Sequence, residues 1–358
     1  MNSSMKRTIT PEIRHEKFSS RILREDLGKY RSYGLSRLLD EVIIPNIPDI
    51  DPKETFFYEK KPTPFKEEFI KKYKFYTLSH LSFKSPFSTD YPENNTAHLL
   101  HFIPQKRKID FLVVTLHGWR SNRAGFMSEI CRRLAESGIN ACLFSLPYHR
   151  ERTPVGKRSG SLFFTLDPFR TFNAYRQAVI DLTVVADHFK ERGFRLGGVG
   201  ISIGALILNT LMGFDSRYEI GVSIVGGGDI SRIVWEGLAT RFVRRFVQSF
   251  GISTKHFEVL LEHQKNFLEE KRRTGKIPRT KCFWFLIDPI TYASKRNVLF
   301  INGRFDPIIP REAVLEFRES CGNPPIIWIP ADHFTIIFRR YIIRRTIKFL
   351  MEKSKLSE

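Results

Sequence analysis

The residues best suited to chemistry in this sequence form the run 200–204, GISIG, which places Ser202 between two glycines. An apolar segment precedes this run and a second one follows it, which is typical of a strand that turns sharply into a helix. Such a turn strains the serine backbone, exposes its hydroxyl and points the helix N-terminal amides at an oxyanion formed there. The glycines lack the Cβ atoms that would clash where strand and helix approach. Ordinary strand-to-helix turns also show this pattern, so the rest of the chain must show whether Ser202 is a nucleophile or part of such a turn.

Two further residues with suitable chemistry follow downstream. Asp306 comes after a predicted strand at 297–301, and His333 comes after a predicted strand at 325–330. Ligands of open α/β sheets bind outside the carboxyl ends of the strands, so we expect Ser202, Asp306 and His333 to lie at one edge of the sheet. A serine hydroxyl becomes a good nucleophile when an imidazole takes its proton, and a carboxylate behind the imidazole fixes the tautomer.

Other carboxylates compete with Asp306 for the role of the acid. Asp229 also follows a predicted strand, at 219–225, and is the main rival. Asp332 is the sequence neighbour of His333, but adjacent side chains after a strand tend to diverge. Asp306 also fits a simple turn before a proline, yet its Gly-x-x-Asp-x-x-x-Pro setting after a strand favours the acid role.

The segments around these residues alternate between strands and helices from residue 109 onward. The predicted strands are 109–116, 140–146, 219–225, 297–301 and 325–330, and the predicted helices are 124–137, 170–192, 311–320 and 335–353. This alternation predicts an α/β fold with a mostly parallel, doubly wound sheet and helices on both faces. Before it, three predicted strands indicate an antiparallel edge, at 71–78, 80–84 and 97–103.

Two segments lie outside this alternation. Residues 1–71 predict a helical N-terminal extension, with helical periodicity at 15–39 followed by prolines that break helices. Residues 230–290 are rich in charge and predict a helical cap insertion over the site. The remaining ranges, 72–229 and 291–358, then form the core of the fold.

The composition is strongly basic. The chain has 358 residues with 58 Lys and Arg against 38 Asp and Glu, a net charge of +20. Such a charge is compatible with nucleic acid, anionic lipid or an anionic substrate as a partner, and also with a solvated basic surface. The basic residues are scattered and no zinc-finger, KH or RNP-type pattern is present, so the sequence favours the solvated surface and argues against nucleic acid.

The cysteines and the apolar runs bear on the environment of the protein. The four cysteines show no C-x-x-C spacing, and the first residues do not resemble a secretory signal. No uninterrupted apolar run reaches the length of a membrane span. The sequence therefore predicts reduced core thiols in a cytoplasmic protein, without a metal site or a cofactor.

These motifs together resemble the α/β-hydrolases of the dienelactone hydrolase and prolyl oligopeptidase group. The resemblance covers roughly residues 72–352 and rests on LHG at 116–118, GISIG at 200–204, DPITYA at 288–293, GRFDPIIP at 303–310 and His333. It implies Ser202 as the nucleophile, Asp306 as the acid and His333 as the base. It also implies an oxyanion hole made by the backbone amides of Trp119 and Ile203. The family leaves the substrate open.

Several residues are candidates for the substrate pocket. They follow predicted strands at the expected edge of the sheet and are His117, Tyr148, His149, Arg150 and Arg152. The arginines suit a carboxylate or a phosphate, so an anionic substrate is one interpretation. An internal hydrogen-bond network that holds the loop is an equal alternative, and His117 fits a structural loop histidine better than a catalyst. Apolar residues of the predicted insertion suit either an acyl group or ordinary packing, namely Ile233, Trp235, Phe242, Phe246 and Phe250.

The sequence as a whole predicts a serine hydrolase for a small carboxylic ester or thioester, acting through an acyl-enzyme intermediate. A peptidase or an acyltransferase with the same triad is one alternative, although peptidases of this group usually carry a large propeller domain for which the chain is too short. A non-catalytic basic α/β scaffold that binds anionic partners is another. The acyl group, the leaving group and the oligomeric state are left open.

Overall fold

The computed structural model describes most of the chain after residue 50. The described ranges are 51–106, 109–121, 125–165, 167–249, 251–280, 282–338 and 340–355, without the side chains of Lys53, Pro168, Phe246 and Lys355. The predicted helix at 15–39, with the rest of 1–50, lies outside these residues. So do Phe250 and the side chain of Phe246, two of the predicted apolar residues of the insertion.

One sheet of nine strands organises the described residues. In chain order the strands are β1 (Lys66–Lys72), β2 (Tyr76–Lys84), β3 (Thr96–Pro104), β4 (Phe111–Leu116), β5 (Asn140–Phe144), β6 (Arg195–Ile201), β7 (Tyr218–Ile224), β8 (Asn297–Gly303) and β9 (Ile326–Ile329). Their order across the sheet is β1-β2-β3-β5-β4-β6-β7-β8-β9. Strands β4 to β9 pair in parallel, whereas β1, β2 and β3 form the predicted antiparallel edge.

Helices cover both faces of this sheet. They are α1 (Pro52–Thr55), α2 (Gly125–Glu136), α3 (Pro168–Lys190), α4 (Ile203–Phe214), α5 (Ile230–Glu236), α6 (Arg241–Ser249), α7 (Thr254–Thr274), α8 (Arg311–Ser320) and α9 (Arg340–Lys355). Short 3-10 turns lie at Pro92–Asn95, Arg150–Arg152, Phe283–Leu286, Pro289–Tyr292 and Thr335–Phe338. The predicted doubly wound α/β fold is therefore confirmed.

Two hydrophobic cores lie on opposite faces of the sheet, because side chains alternate along each strand. Leu112 and Val114 of β4 pack in the same core as α3 and α4. Phe111 and Val113, one position away, pack in the core that contains α2 and α9. All six residues of β4 are buried, which is why this strand appears in the sequence as a continuous apolar run rather than an alternating one.

The first strands differ from their predicted bounds. The predicted strand at 71–78 spans the end of β1, a turn and the start of β2, where the Tyr73 amide donates to the Tyr76 carbonyl at 2.8 Å. This turn has aromatic and lysine residues in place of Gly, Pro, Asn or Asp, so no turn is predicted there from local pattern. Because β1 belongs to the sheet, the sheet begins before the predicted domain boundary at residue 72.

The last helix begins later than predicted, and the region 230–290 consists of several separate helical elements. The predicted helix 335–353 is a 3-10 turn at Thr335–Phe338 followed by α9, which begins at Arg340. Between β7 and β8 the chain forms α5, α6 and α7 and two 3-10 turns, so this segment is helical, as predicted, and is divided into several elements of which α7 is the longest.

The cysteines and the helices bear on the environment in which the chain folds. Cys131, Cys142, Cys282 and Cys321 are all buried and free. Among the described residues, no helix combines the length and the apolar character needed to cross a bilayer.

Candidate active site

The structure brings Ser202, Asp306 and His333 together at the carboxyl edge of the sheet. Ser202 lies between β6 and α4, Asp306 follows β8, and His333 follows β9. His333 Nε2 lies 2.8 Å from Ser202 Oγ, and His333 Nδ1 lies 2.8 Å from Asp306 Oδ2. Since a carboxylate only accepts, Nδ1–H donates to Asp306 in the neutral ring and Nε2 is left to accept the serine hydroxyl.

Ser202 has a strained backbone. Its φ is 55° and its ψ is −124°, a region that non-glycine residues rarely occupy and that raises the free energy by about 1–3 kcal/mol. The Ser202 amide donates to the Ile224 carbonyl of β7 at 3.0 Å, and the Ser202 carbonyl accepts from the Ala205 amide at 2.8 Å. The neighbouring strand and the first turn of α4 thus hold the conformation that exposes the hydroxyl.

Both glycines of the GISIG run are required by close backbone approach. A Cβ atom on Gly200 would lie 2.6 Å from Cα of Ala205, and one on Gly204 would lie 2.5 Å from the Leu116 carbonyl oxygen. Real Cβ contacts are not this short, so neither position accepts a larger residue without moving α4 away from the sheet.

The three candidate acids have different surroundings. The amides of Ile308 and Ile309 donate to Asp306 Oδ1 at 2.8 and 3.1 Å, which leaves Oδ2 for His333. Asp229 instead caps α5, where its Oδ1 accepts from the Arg232 amide at 3.0 Å. The Asp332 carboxylate accepts from the amides of its own turn. The carboxylate that contacts the imidazole therefore belongs to Asp306.

A cavity of about 810 Å³ opens beside Ser202 and His333. Trp119 and Ile203, the residues predicted to form the oxyanion hole with their amides, both line it. Residues of the segment 230–290 also line it, namely Ile230, Ile233, Val234, Ala239, Thr240, Trp284 and Ile287. Phe242 of α6 stacks on Trp119 with ring centroids 6.5 Å apart. The segment between β7 and β8 thus borders the same space as the serine.

His117 lines the cavity but has both ring nitrogens engaged by the protein. Nε2 accepts from the Leu146 amide at 3.2 Å, so Nδ1–H donates to the Gly118 carbonyl at 2.9 Å. Burial lowers the pKa of His117 to about 4, so the ring stays neutral near pH 7. These contacts fit the predicted structural role better than a role in proton transfer.

The other four pocket candidates are not among the residues that line the cavity, which favours the internal network over substrate recognition, the two alternatives that the sequence left open. Arg152 is fully buried and pairs with Asp181 of α3, with Nη1 2.8 Å from Oδ2. Tyr148 is buried, and His149 Nδ1 lies 2.8 Å from the Pro147 carbonyl oxygen. Arg150 pairs with Glu151 at a distance of 3.2 Å. They form the internal network that the sequence left as the alternative, and the charged partner of Arg152 in it comes from a segment distant in sequence.

This network supports the segment that carries Trp119. His149 Nε2 accepts from the Arg120 amide at 3.1 Å, and Trp119 Nε1–H donates to the Gly160 carbonyl at 2.8 Å. The Gly160 amide in turn donates to the Tyr148 carbonyl at 2.7 Å. The loop after β5 therefore positions the predicted oxyanion residue from behind, a role that the sequence analysis missed.

Sequence reasoning also missed a buried carboxylate that fixes the start of α5. Asp288 accepts from the amides of Asp229 at 2.8 Å and Ile230 at 2.6 Å. Burial, together with the nearby carboxylate of Asp229, raises the pKa of Asp288 to about 7. Asp288 begins the DPITYA run of the resemblance, to which no role was assigned, and an aspartate before a proline is typical of a turn and does not indicate which helix it holds.

Comparison with known proteins identifies the fold. No protein-family model matches this sequence, and no curated protein matches it. Among solved structures the chain is similar to an acetyl xylan esterase from a Paenibacillus species, at 16% identity over 91% of this chain and 98% of that chain, with a TM-score of 0.56. It is also similar to acetyl xylan esterase 1 from a Thermoanaerobacterium species, at 17% identity over 92% and 93% of the two chains, with a TM-score of 0.55.

The chain has the α/β-hydrolase fold. The resemblance seen in the sequence is thereby confirmed at the level of the fold. In this fold the strained Ser202 lies at the sharp turn between β6 and α4.

The close approach at the serine turn leads to a first prediction. Gly200→Ala should lower the free energy of unfolding by about 2–3 kcal/mol, because the new methyl group overlaps the α4 backbone. Urea unfolding of the variant and the wild type measures this difference. Gly125→Ala is the matched control, since a Cβ atom there meets open space and should leave stability unchanged. Equal unfolding midpoints for all three proteins would contradict the observed geometry.

The buried Asp288 leads to a prediction about pH. Its pKa of about 7 in the folded state lies above the unfolded value of about 3.9, so the folded protein binds the extra proton between these values. Its contribution to stability is therefore fully present below about pH 4 and is lost as the pH rises through 7. The difference in unfolding free energy between wild type and Asp288→Asn should fall across this window, by at most about 1.4 kcal/mol per pH unit.

Urea unfolding at several pH values between 4.5 and 7.5 tests this slope. Asp332→Asn is the matched control, since hydrogen bonds from the amides of Thr335 and Phe334 lower the pKa of Asp332. The stabilisation by Asp332 is fully present above the unfolded pKa of about 3.9 and is lost only as the pH falls below it, so its difference from the wild type should stay nearly constant between pH 4.5 and 7.5. A difference for Asp288→Asn that stays constant or grows with pH would mean that Asp288 is ionised throughout.

Proposed function

We propose that this protein is a serine hydrolase that cleaves a carboxylic ester or thioester through an acyl-enzyme intermediate. The observation that carries the proposal is the position of His333, whose two ring nitrogens contact Ser202 and Asp306 at 2.8 Å each beside a large cavity. Such an arrangement allows the imidazole to take the serine proton while the carboxylate stabilises the imidazolium that forms.

In the first half of the proposed reaction, Ser202 Oγ attacks the carbonyl carbon while His333 Nε2 takes its proton. The carbonyl oxygen becomes an oxyanion, and the amides of Trp119 and Ile203 bind it as donors. The tetrahedral intermediate then collapses, the bond to the leaving alcohol or thiol breaks, and His333 returns the proton to the leaving group. An acyl group remains on Ser202.

In the second half, a water molecule replaces the leaving group. His333 takes a proton from the water as its oxygen attacks the acyl carbon, and the same amides bind the second oxyanion. Collapse releases the carboxylic acid and returns the proton to Ser202 Oγ. Each half uses one imidazole as base and then as acid, so the chemistry needs no metal or cofactor.

Several observations support this function over the alternatives. The two similar solved structures are named as esterases, which supports ester cleavage as the chemistry. A non-catalytic scaffold would have no use for the strained backbone of Ser202. An anionic substrate is not favoured, because Arg150 and Arg152 pair with carboxylates of the protein itself. The predicted cytoplasmic localisation stays a prediction, with four free buried thiols in its support.

The proposed nucleophile leads to a test. Ser202→Ala should lower kcat for ester hydrolysis by at least about 10⁴-fold and should abolish covalent labelling by a fluorophosphonate probe. Labelling and turnover are measured on protein whose circular dichroism spectrum matches that of the wild type. Turnover close to that of the wild type in folded Ser202→Ala would exclude this mechanism.

The proposed acid leads to a second test. Asp306→Asn should lower kcat by about 10⁴-fold, because the amide no longer holds the imidazole in its working tautomer. Asp229→Asn is the matched control, since Asp229 caps α5 and does not contact His333. Its kcat should stay within about tenfold of the wild type. If the two effects were reversed, Asp229 would be the acid and Asp306 a turn residue.

A further inference from the structure

The cavity beside Ser202 is lined almost entirely by apolar side chains in its buried part. Aromatic and aliphatic residues from several segments contribute, among them Phe163, Leu206, Ile230, Ile233, Ile287 and Ile309, all of which are buried. At about 810 Å³ the cavity is in the range of small-molecule sites. It is therefore large enough for much more than an acetyl group.

Two aromatic residues of this lining, Trp119 and Tyr175, direct their polar atoms at the protein. Trp119 Nε1–H donates to the Gly160 carbonyl at 2.8 Å. Tyr175 Oη lies 2.9 Å from Thr210 Oγ1, which itself donates to the Ile287 carbonyl. The hydroxyl of Thr210 therefore acts as donor to the carbonyl, and Tyr175 Oη–H donates to it. Both rings are left to present apolar surface to the cavity.

The threonines of the lining also form hydrogen bonds with groups of the protein. Thr240 Oγ1–H donates to the Ile233 carbonyl, 2.9 Å away. Thr171 Oγ1 accepts from the Thr165 amide at 3.0 Å and donates to the Asp167 carbonyl at 3.3 Å. With His117 also engaged at both nitrogens, the polar side chains of the buried lining have partners within the protein. Ser202 and His333 are the polar side chains left to meet a ligand there.

The outer part of the cavity is also largely apolar. Phe334 and Phe338 line it while 63% and 79% of their surfaces remain exposed to solvent. Arg120 lies at this edge with its guanidinium 4.7 Å from the Trp119 ring centroid. An apolar ligand that covers this exposed aromatic surface removes apolar area of both partners from water, which stabilises the complex.

Building on the proposed function, we infer that the substrate is an ester or thioester with an apolar chain, and that this chain occupies the cavity. A carbohydrate ester fits poorly. Each sugar hydroxyl buried here without a partner would lose its hydrogen bonds to water, and sites without matching polar groups discriminate strongly against such ligands. The cavity would bind the apolar chain in the same way whether the chain belongs to the acyl part or to the alcohol part of the substrate.

Two series of substrates show whether the apolar chain belongs to the acyl part or to the alcohol part. The first varies the acyl chain as p-nitrophenyl acetate, butyrate, hexanoate and octanoate, and the second varies the alcohol as ethyl, butyl, hexyl and octyl acetate. In the series whose chain enters the cavity, kcat/KM should rise about threefold to fourfold per methylene group. Acetylated xylo-oligosaccharide should be at least about tenfold poorer than the best ester.

A variant that fills the cavity tests where the chain lies. Ala239→Trp places a large side chain in the half-buried loop that lines the cavity. It should lower the ratio of kcat/KM for the longest ester to that for the shortest by at least about tenfold. Val234→Trp on α5 serves the same purpose should the first variant fail to fold. Val259→Trp is the matched control, since this residue of α7 is 41% exposed and lies outside the lining.

The outcomes separate this inference from the proposed function. Rates that do not depend on chain length in either series, or a preference for the acetylated sugar, would overturn the apolar substrate while ester hydrolysis stands. A chain preference that both cavity variants leave intact would overturn the placement of the chain. Failure of every ester, together with no labelling of Ser202 by the fluorophosphonate probe, would instead reject the proposed function itself.

Discussion

The close approach of β6 and α4 at the serine turn is the constraint on which the site depends. Gly200 and Gly204 let the two elements pack with almost no space between their backbones, and this packing forces Ser202 into its strained conformation. Because β6 lies between β4 and β7 in the middle of the sheet, the turn cannot relax without disturbing both neighbours. The strain is therefore sustained by the whole parallel sheet, and the hydroxyl is held out toward the cavity.

The rest of the site is supported by polar groups that do not touch a ligand. The buried pair of Arg152 and Asp181 ties the loop after β5 to α3, and this loop holds Trp119 and Arg120 through His149 and Gly160. Removing one partner of such a pair leaves an uncompensated buried charge, which typically destabilises a protein by about 3–5 kcal/mol. These charges therefore stabilise the position of an amide in the site rather than the binding of a charged substrate.

The cavity wall opposite this loop depends on a second buried group, Asp288, whose carboxylate holds the first amides of α5. Helix α5 then presents its apolar side chains to the cavity. The result is a hydrogen-bonded triad at the edge of an apolar space from which water is readily displaced. In such surroundings the hydrogen bonds that join His333 to Ser202 and Asp306 are stronger than they would be in water, and the same would hold for an oxyanion in the proposed reaction.

The sequence by itself determined the alternation of strands and helices, the strained serine turn and the three residues that meet there. These were predictable because parallel strands present their carboxyl ends at one edge, so Ser202, Asp306 and His333 had to lie near one another. Only the tertiary structure decided what Arg152 and His149 contact and where β1 ends and β2 begins. The partner of Arg152 is an aspartate on α3, and the turn between β1 and β2 contains no typical turn residue. Local patterns report which residues suit a strand end, but the direction of a long side chain depends on packing between segments distant in sequence.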